Sequence, residues 1–220
     1  MENNLKKTLM SQMLEHVPDL GWTWDALCKA EKIAKKTKNP NREALQTLFG
    51  NKISNIIETF NDKLDEDMYA IFNNDNKKDL GTTDTVKALI LSRLKASANY
   101  KSIVKTSLLF MAQPRNAYDA FNQIMKTSNK IWEIAGDTSS GGTFYSKRLI
   151  LSGVYSSTLA HWLAKETRSV RESEYFLDRR LDDVKKIGKI SKQSIDVFEK
   201  TKRELGSILT KSRDETYFST

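Results

Sequence analysis

Apolar residues in this chain recur mostly at spacings of three and four, and no sustained alternation of apolar and polar positions occurs, so the pattern predicts an all-helical protein. Leu5, Leu9, Met13 and Leu14 mark a first helix, ended by Pro18. Thr23 is placed as the N-cap of a second, WDALCKAEKIAKK, and Asn41 as the cap of a short third, REALQTLF, with Gly50 as its stop. A long helix over ISNIIETFNDKLDEDMYAIF follows, then the polar loop NNDNKKDLGTT. Asp84 opens TVKALILSRLKASA, and SIVKTSLLFMA forms a further helix before Pro114. The pattern continues through AYDAFNQIMKTSNKIWEIA, a glycine loop GDTSSGG, a helix over Phe144–Ala164, RESEYFLDRRLDDVKKI, and a last helix from Ser191 to about Lys211.

Two short helices joined by a tight turn after a first helix suggest a helix-turn-helix. With a longer helical body behind them, the order is similar to that of TetR-type regulators. The organisation this predicts is a degenerate helix-turn-helix-like unit over 1–50, a helical ligand-binding and dimerisation body over 51–188, and an amphipathic helix over 189–213.

The Phe144–Ala164 segment stands apart, because the sixteen residues between Arg148 and Lys165 include no Asp, Glu, Lys or Arg. Leu151, Tyr155, Leu159 and Trp162 form one apolar stripe that Ile150 and Val154 widen. Beside it Ser152, Gly153, Ser156, Ser157 and Ala160 carry little bulk, which permits either close helix packing or a void beside aromatic walls. The run is too short, and too rich in serine, for the ~20 apolar residues of a membrane span.

Chemistry narrows the field further. Cys28 is the single cysteine, so no internal disulfide forms, and it is read as a small buried hydrophobe. The two histidines, His16 and His161, have no spaced second ligand, and no zinc or di-iron motif occurs. Gly136 and Gly141 mimic the start of a phosphate-binding loop, but Gly142-Thr143 stands where Lys and Ser or Thr are required, and a helix precedes it instead of a strand. Gly136 instead fits a left-handed helix stop, with Asp137, Thr138 and Ser139 supplying turn hydrogen bonds. No cofactor and no catalytic residue is expected.

Net charge is +8, and its placement matters more than its size. From Lys185 to Arg213 there are nine basic residues against three acidic, whereas over Val17–Gly50 the count is six against four. In the last helix Val197, Phe198, Thr201, Leu205, Ile208 and Leu209 share one side and Lys200, Lys202, Arg203, Lys211 and Arg213 populate the rest. That pattern suits a helix on an anionic membrane surface, and equally one packed back on its own dimer. In the N-terminal unit Arg42, Gln46 and Lys52 could reach DNA, but Glu43 stands among them.

IWEIAGDTSSGGTFYSKRLILSGVYSSTLAHWL followed by EYFLDRRLDDVKKIGK resembles the ubiquinone biosynthesis accessory protein family, TetR-like lipid-binding proteins. Trp132, Gly136, Asp137, Thr138, Ser139, Tyr145, Arg148, Gly153, Val154, Tyr155 and FLDRR at 176–180 carry the likeness, and LEHVPDLGWTWDAL at 14–27 looks like the family's start. The resemblance implies a homodimer without enzymatic activity that binds an isoprenoid quinone-type lipid, helps a di-iron demethoxyubiquinone hydroxylase, touches membrane through its C-terminal helix and does not bind nucleic acid. The apolar stripe of Ile150, Leu151, Val154, Tyr155, Leu159 and Trp162, with Trp132, is the expected lipid pocket. The resemblance assigns a partner patch to Asp137, Phe144, Tyr145 and Arg148, and the pattern of the last helix makes Val197, Phe198, Lys200, Lys202, Arg203, Leu205, Ile208 and Leu209 the expected membrane contact. The family usually has Trp where Phe144 stands and Asp-Phe where Gly141-Gly142 stand. With no targeting segment before Leu5, the expected setting is bacterial cytoplasm, peripheral to the inner membrane. The competing readings are a TetR-type repressor released from DNA by an apolar ligand, and a helical adaptor whose apolar face is only a dimer seam.

Overall fold

The computed structural model describes residues 2–75 and 80–186. The helix expected over 189–213, with the membrane-contact residues from Val197 to Leu209, lies outside the described residues. The chain divides into two compact units, Met1–Leu177 and Asp178–Thr220. Over 178–186 the second is helical. The first holds all that follows.

Among the described residues every regular element is a helix, as the periodicity predicts. In order they are α1 (Glu2–Leu14), α2 (Val17–Leu20), α3 (Trp24–Ala34), α4 (Arg42–Phe49), α5 (Ile53–Asn74), α6 (Thr82–Ser97), α7 (Lys101–Met111), α8 (Ala117–Ile134) and α9 (Gly141–Leu163). Short 3-10 turns, Ala98–Tyr100 and Pro114–Asn116, precede α7 and α8. The unit ends in helical residues 170–177.

Sequence chemistry sets the joints of the N-terminal unit. Thr23 Oγ1 accepts from the Ala26 amide at 3.3 Å and Asn41 Oδ1 from the Ala44 amide at 3.0 Å, so both expected caps form. Gly50 ends α4 at φ +93°, where its amide donates to the Gln46 carbonyl at 2.8 Å. The buried Glu31 carboxylate then ties α3 to the entry of α4, accepting from the Asn41 amide and from Lys35 Nζ, each at 2.8 Å. Three boundaries depart from expectation. Pro18 does not terminate the first helix; it lies in the first turn of α2, where its missing N–H costs nothing. α6 starts at Thr82 with Gly81 before it, so Asp84 sits in its first turn instead of capping it. α9 begins three residues early, at Gly141, because Ser140 is the extended residue ahead of it.

In the body, one face of α5 (Ile56, Ile57, Phe60, Leu64, Met68) is buried, as are Val86, Leu89, Ile90 and Leu94 of α6. Trp22 and Tyr100 close on Phe60 with ring centroids 5.6 and 5.7 Å away, joining the N-terminal unit to the body. Small residues on α9 serve close packing at one level. Ser152 Oγ and Ser128 Oγ meet at 3.0 Å, a separation that larger side chains on α8 and α9 would prevent. No described helix is long and apolar enough to cross a membrane.

The exit from α9 depends on one buried lysine. Lys101 Nζ donates to the carbonyls of Lys165, Glu166 and Arg168 at 2.9, 2.8 and 2.7 Å, and lies 4.7 Å from the centroid of the Trp162 ring. Lys101→Met keeps the stem but strands three carbonyls, at a cost of about 3 kcal/mol. A scan of thermal unfolding is expected to show the midpoint about 6–12 °C lower, since ~1 kcal/mol moves a domain of this size by roughly 2–4 °C; an unchanged midpoint would show that the clasp is dispensable.

Candidate functional site

A partly enclosed, largely apolar cavity of about 240 Å³ lies among α5, α6, α7, α8 and α9. Tyr155 and Leu159 of the neutral segment form one wall, and Ile57, Val104, Leu108, Met111 and Ile124 supply most of the others. At one end stands a buried polar network. Arg93 Nε donates to Asp65 Oδ1 at 2.6 Å, its Nη1 to Ser97 Oγ at 2.8 Å and its Nη2 to Asn61 Oδ1 at 3.2 Å. Thr127 Oγ1 donates to Asp65 Oδ2 at 2.9 Å, and Asn61 Nδ2 donates to Gln123 Oε1 at 2.8 Å. Burial pushes the Asp65 carboxyl above the ordinary aspartate value, against the opposing charge of Arg93. Tyr155 is 4% exposed, and burial raises its phenol too, so at neutral pH it carries its proton.

The assigned pocket residues divide. Tyr155 and Leu159 line the cavity. Leu151, Val154 and Trp162 are buried core residues that do not line it. Trp132 belongs to the α8–α9 corner, where its Nε1 donates to the Lys147 carbonyl at 3.2 Å. Ile150 is 47% exposed and walls nothing: the stripe continues to it, but the cover over α9 does not. The sequence reading missed Asn61, Arg93, Gln123 and Thr127. The available signal was Arg93 itself, a lone cation within the apolar face of ALILSRL.

The second assigned site is the corner. Gly136 takes φ +76° and the Asp137 amide reaches back to the Trp132 carbonyl at 2.9 Å, the expected left-handed stop. Asp137, whose side chain is 3% exposed, accepts from Lys147 Nζ at 2.7 Å, Ser139 Oγ at 2.6 Å and Arg148 Nη1 at 3.0 Å. Arg148 also donates to the Asn129 side chain at 2.7 Å and the Phe144 carbonyl at 3.1 Å, and its guanidinium lies 3.3 Å from the centroid of the Phe144 ring. Asp137 and Arg148 are therefore buried struts beneath the patch and offer a partner nothing, because each spends its charge on the other. Tyr145 is 68% exposed, its ring 5.2 Å from that of the half-buried Phe144. Leu149, one turn on from Tyr145, is also exposed.

Other candidates carry less. Among the described residues no three His, Cys, Asp or Glu side chains stand together as metal ligands. Cys28 is half-buried, and burial raises its thiol, opposite to what a reactive thiolate needs. In the N-terminal unit the Arg42 guanidinium stacks 5.6 Å from the Trp24 ring and Lys52 Nζ bonds Asp119 at 3.3 Å, so two of the cations that could reach DNA are engaged within the chain.

The corner generates a pH dependence. Hydrogen bonds from Lys147 and Ser139, with Arg148 in support, hold the Asp137 carboxyl well below the ordinary aspartate value. A carboxyl depressed in the folded state stabilises it above the unfolded pKa, ~3.9, and that contribution is lost as pH falls through the folded value. Asp137→Asn is expected to lower the unfolding midpoint at pH 7, with the gap to the parent protein narrowing as pH drops below about 4; a gap that stays constant from pH 7 to 2.5 would contradict the ionic account of the corner.

Comparison with known proteins meets this geometry where it is densest. Residues 117–188, covering α8, the corner and α9, match the COQ9 family. The chain is similar to ubiquinone biosynthesis protein COQ9, mitochondrial, of Xenopus tropicalis (24% identical, covering 87% of this chain and 61% of that protein). It is similar to the protein of the same name from Homo sapiens, 22% identical over the same shares. It thus spans about three fifths of the length of these relatives. In fold it is similar to a crystal structure of a TetR transcriptional regulator from Nitrosomonas europaea, with a TM-score of 0.61 at 16% identity, covering 81% of this chain and 97% of that one. The resemblance read from the sequence is thereby borne out: the chain carries the likeness of the ubiquinone biosynthesis family COQ9 on an all-α, TetR-like fold.

Proposed function

We propose that this protein is a non-enzymatic accessory factor of ubiquinone biosynthesis that binds an isoprenoid quinone-type lipid and presents it to a di-iron demethoxyubiquinone hydroxylase. The observation that carries the reading is the apolar cavity walled by Tyr155 and Leu159, formed partly by the same segment that matches the COQ9 family. Burying apolar lipid surface there supplies roughly 25 cal/mol per Å² removed from water. The exposed Tyr145 and Leu149, held on a rigid corner, are read as the hydroxylase-facing patch. The protein is read as a homodimer, peripheral to an anionic bacterial inner membrane, with the basic segment 189–213 as its contact.

A cavity-filling variant tests the central step. Ala120 lines the cavity from α8, and Ala120→Phe takes up its volume. Lipid extracted from the purified protein and weighed by mass spectrometry is expected to contain an isoprenoid species from the parent chain and at least about tenfold less from the variant, the factor that ~1.4 kcal/mol represents. Equal recovery from both would place the lipid elsewhere.

One observation favours a second reading: the fold is similar to that of a TetR transcriptional regulator, with the short helices α3 and α4 following α1. The engaged Arg42 and Lys52 speak against a reading head. Electrophoretic mobility titrations on duplex DNA at 50 and 200 mM salt are expected to show only weak, sequence-indifferent retention that vanishes at the higher salt. A sequence-selective complex with nanomolar affinity would establish the repressor instead.

A further inference from the structure

Two properties of the cavity restrict what can enter beyond its being apolar. The first is size. A cavity of roughly 150 Å³ accepts benzene, and sites for drug-sized ligands begin near about 300 Å³. The present volume, about 240 Å³, falls between them, enough for a substituted ring and too small for a long prenyl chain.

The second is the state of its polar groups. Arg93 is the charged side chain among the described lining residues, and its guanidinium is committed to Asp65, Ser97 and Asn61. Asn61 and Gln123 are spent on each other and on the Ser54 carbonyl. Thr127 is spent on Asp65, and Ser107 on the Val104 carbonyl. A carboxylate, phosphate or ammonium entering here would leave water and meet no free counter-charge. Tyr155 and Ser156, adjacent on α9, differ: neither hydroxyl has a hydrogen-bond partner among the described residues. Tyr155 is the more deeply buried of the two, 4% exposed where Ser156 is half-buried. A buried hydroxyl in a protein interior ordinarily finds a partner, so one that lines a cavity without one is a hydrogen bond left for a ligand.

Resting on the quinone-lipid reading above, we propose that the cavity takes the ring end of its ligand, a neutral oxygen-bearing ring, with the Tyr155 hydroxyl donating to a ring carbonyl and the chain left outside. The hydroxyl donates to the oxygen of a carbonyl, or accepts from the hydroxyl of the reduced ring, with no proton exchanged. Tyr155 is a specificity-determining residue here: the apolar walls accept any ring of the right size, and the phenol distinguishes an oxygenated ring from a hydrocarbon.

The test compares three rings of one size, tetramethyl-1,4-benzoquinone, 1,2,4,5-tetramethylbenzene and 2,4,6-trimethylbenzoate, titrated by NMR into the full chain and into Tyr155→Phe, which keeps the ring and removes the hydroxyl. The parent chain is expected to bind the quinone and the hydrocarbon and to reject the benzoate. Tyr155→Phe is expected to bind the quinone about three- to tenfold more weakly, the value of one neutral hydrogen bond, and the hydrocarbon as before. Equal affinity of the variant for the quinone, or an equal loss for both rings, overturns the assignment of Tyr155 while leaving a lipid-binding cavity standing. Benzoate bound as tightly as the quinone overturns the neutral-ring assignment without recourse to any variant. Failure of all three rings to bind the parent chain overturns this proposal and the cavity reading together.

Discussion

The buried ion pair between Arg93 and Asp65 is the contact on which the cavity depends. It joins α6 to α5, and through Thr127 to α8, so three helices are held at fixed separations around a space they would otherwise close. Hydrophobic packing alone drives such a space toward collapse, because each void forfeits dispersion contacts along its lining. A fully satisfied polar cluster resists that drive, since closing over it would strand charges, and breaking a buried pair costs about 3–5 kcal/mol. The same cluster consumes the polar side chains of Asn61, Arg93 and Thr127 on the cavity wall, and leaves the hydroxyls of Tyr155 and Ser156 on α9 without a partner among the described residues.

A second, separate lock shapes the surface. Asp137 gathers Lys147, Ser139 and Arg148 at the α8–α9 corner, and Arg148 in turn stacks on Phe144. The sequence GDTSSGG is therefore an instruction for a turn and has no phosphate to cradle. Its consequence is positional: Tyr145 and Leu149 stand exposed on a helix whose first turns are tied to the corner through Lys147 and Arg148. A partner meeting these side chains meets them already ordered, which spares the entropy of fixing them on binding.

Much of this was legible in the residues. The 3.6-residue periodicity located the helices, and Thr23, Asn41, Gly50 and Gly136 marked their ends through side-chain and left-handed backbone chemistry that acts locally. The errors arose where position in three dimensions decides. Pro18 stops a helix or starts one depending on its register, and it starts α2. Ile150 continues the stripe of Val154, yet a stripe cannot reveal where the covering helices run out. Asp137 was legible as a source of turn hydrogen bonds, but its place with Arg148 beneath the patch was not, because burial of a matched pair has no mark in the sequence. The polar cluster at the cavity was illegible for the same reason: Asn61, Asp65, Gln123 and Thr127 lie on helices that also carry exposed polar residues such as Glu66 and Asn122, and spacing does not separate the two sets. Small residues were ambiguous, and the structure uses both meanings, Ser152 for close approach to α8 and Ser156 for the cavity wall.

The account turns on whether the space beside Tyr155 is a binding site. Crystals of the full chain grown with a short-chain ubiquinone analogue address it most directly. Electron density for the ring between Tyr155 and Leu159, with a ring oxygen within hydrogen-bond distance of the Tyr155 hydroxyl and the chain leading out, is the predicted result. A cavity filled by its own side chains, with the analogue absent or bound elsewhere, would contradict it.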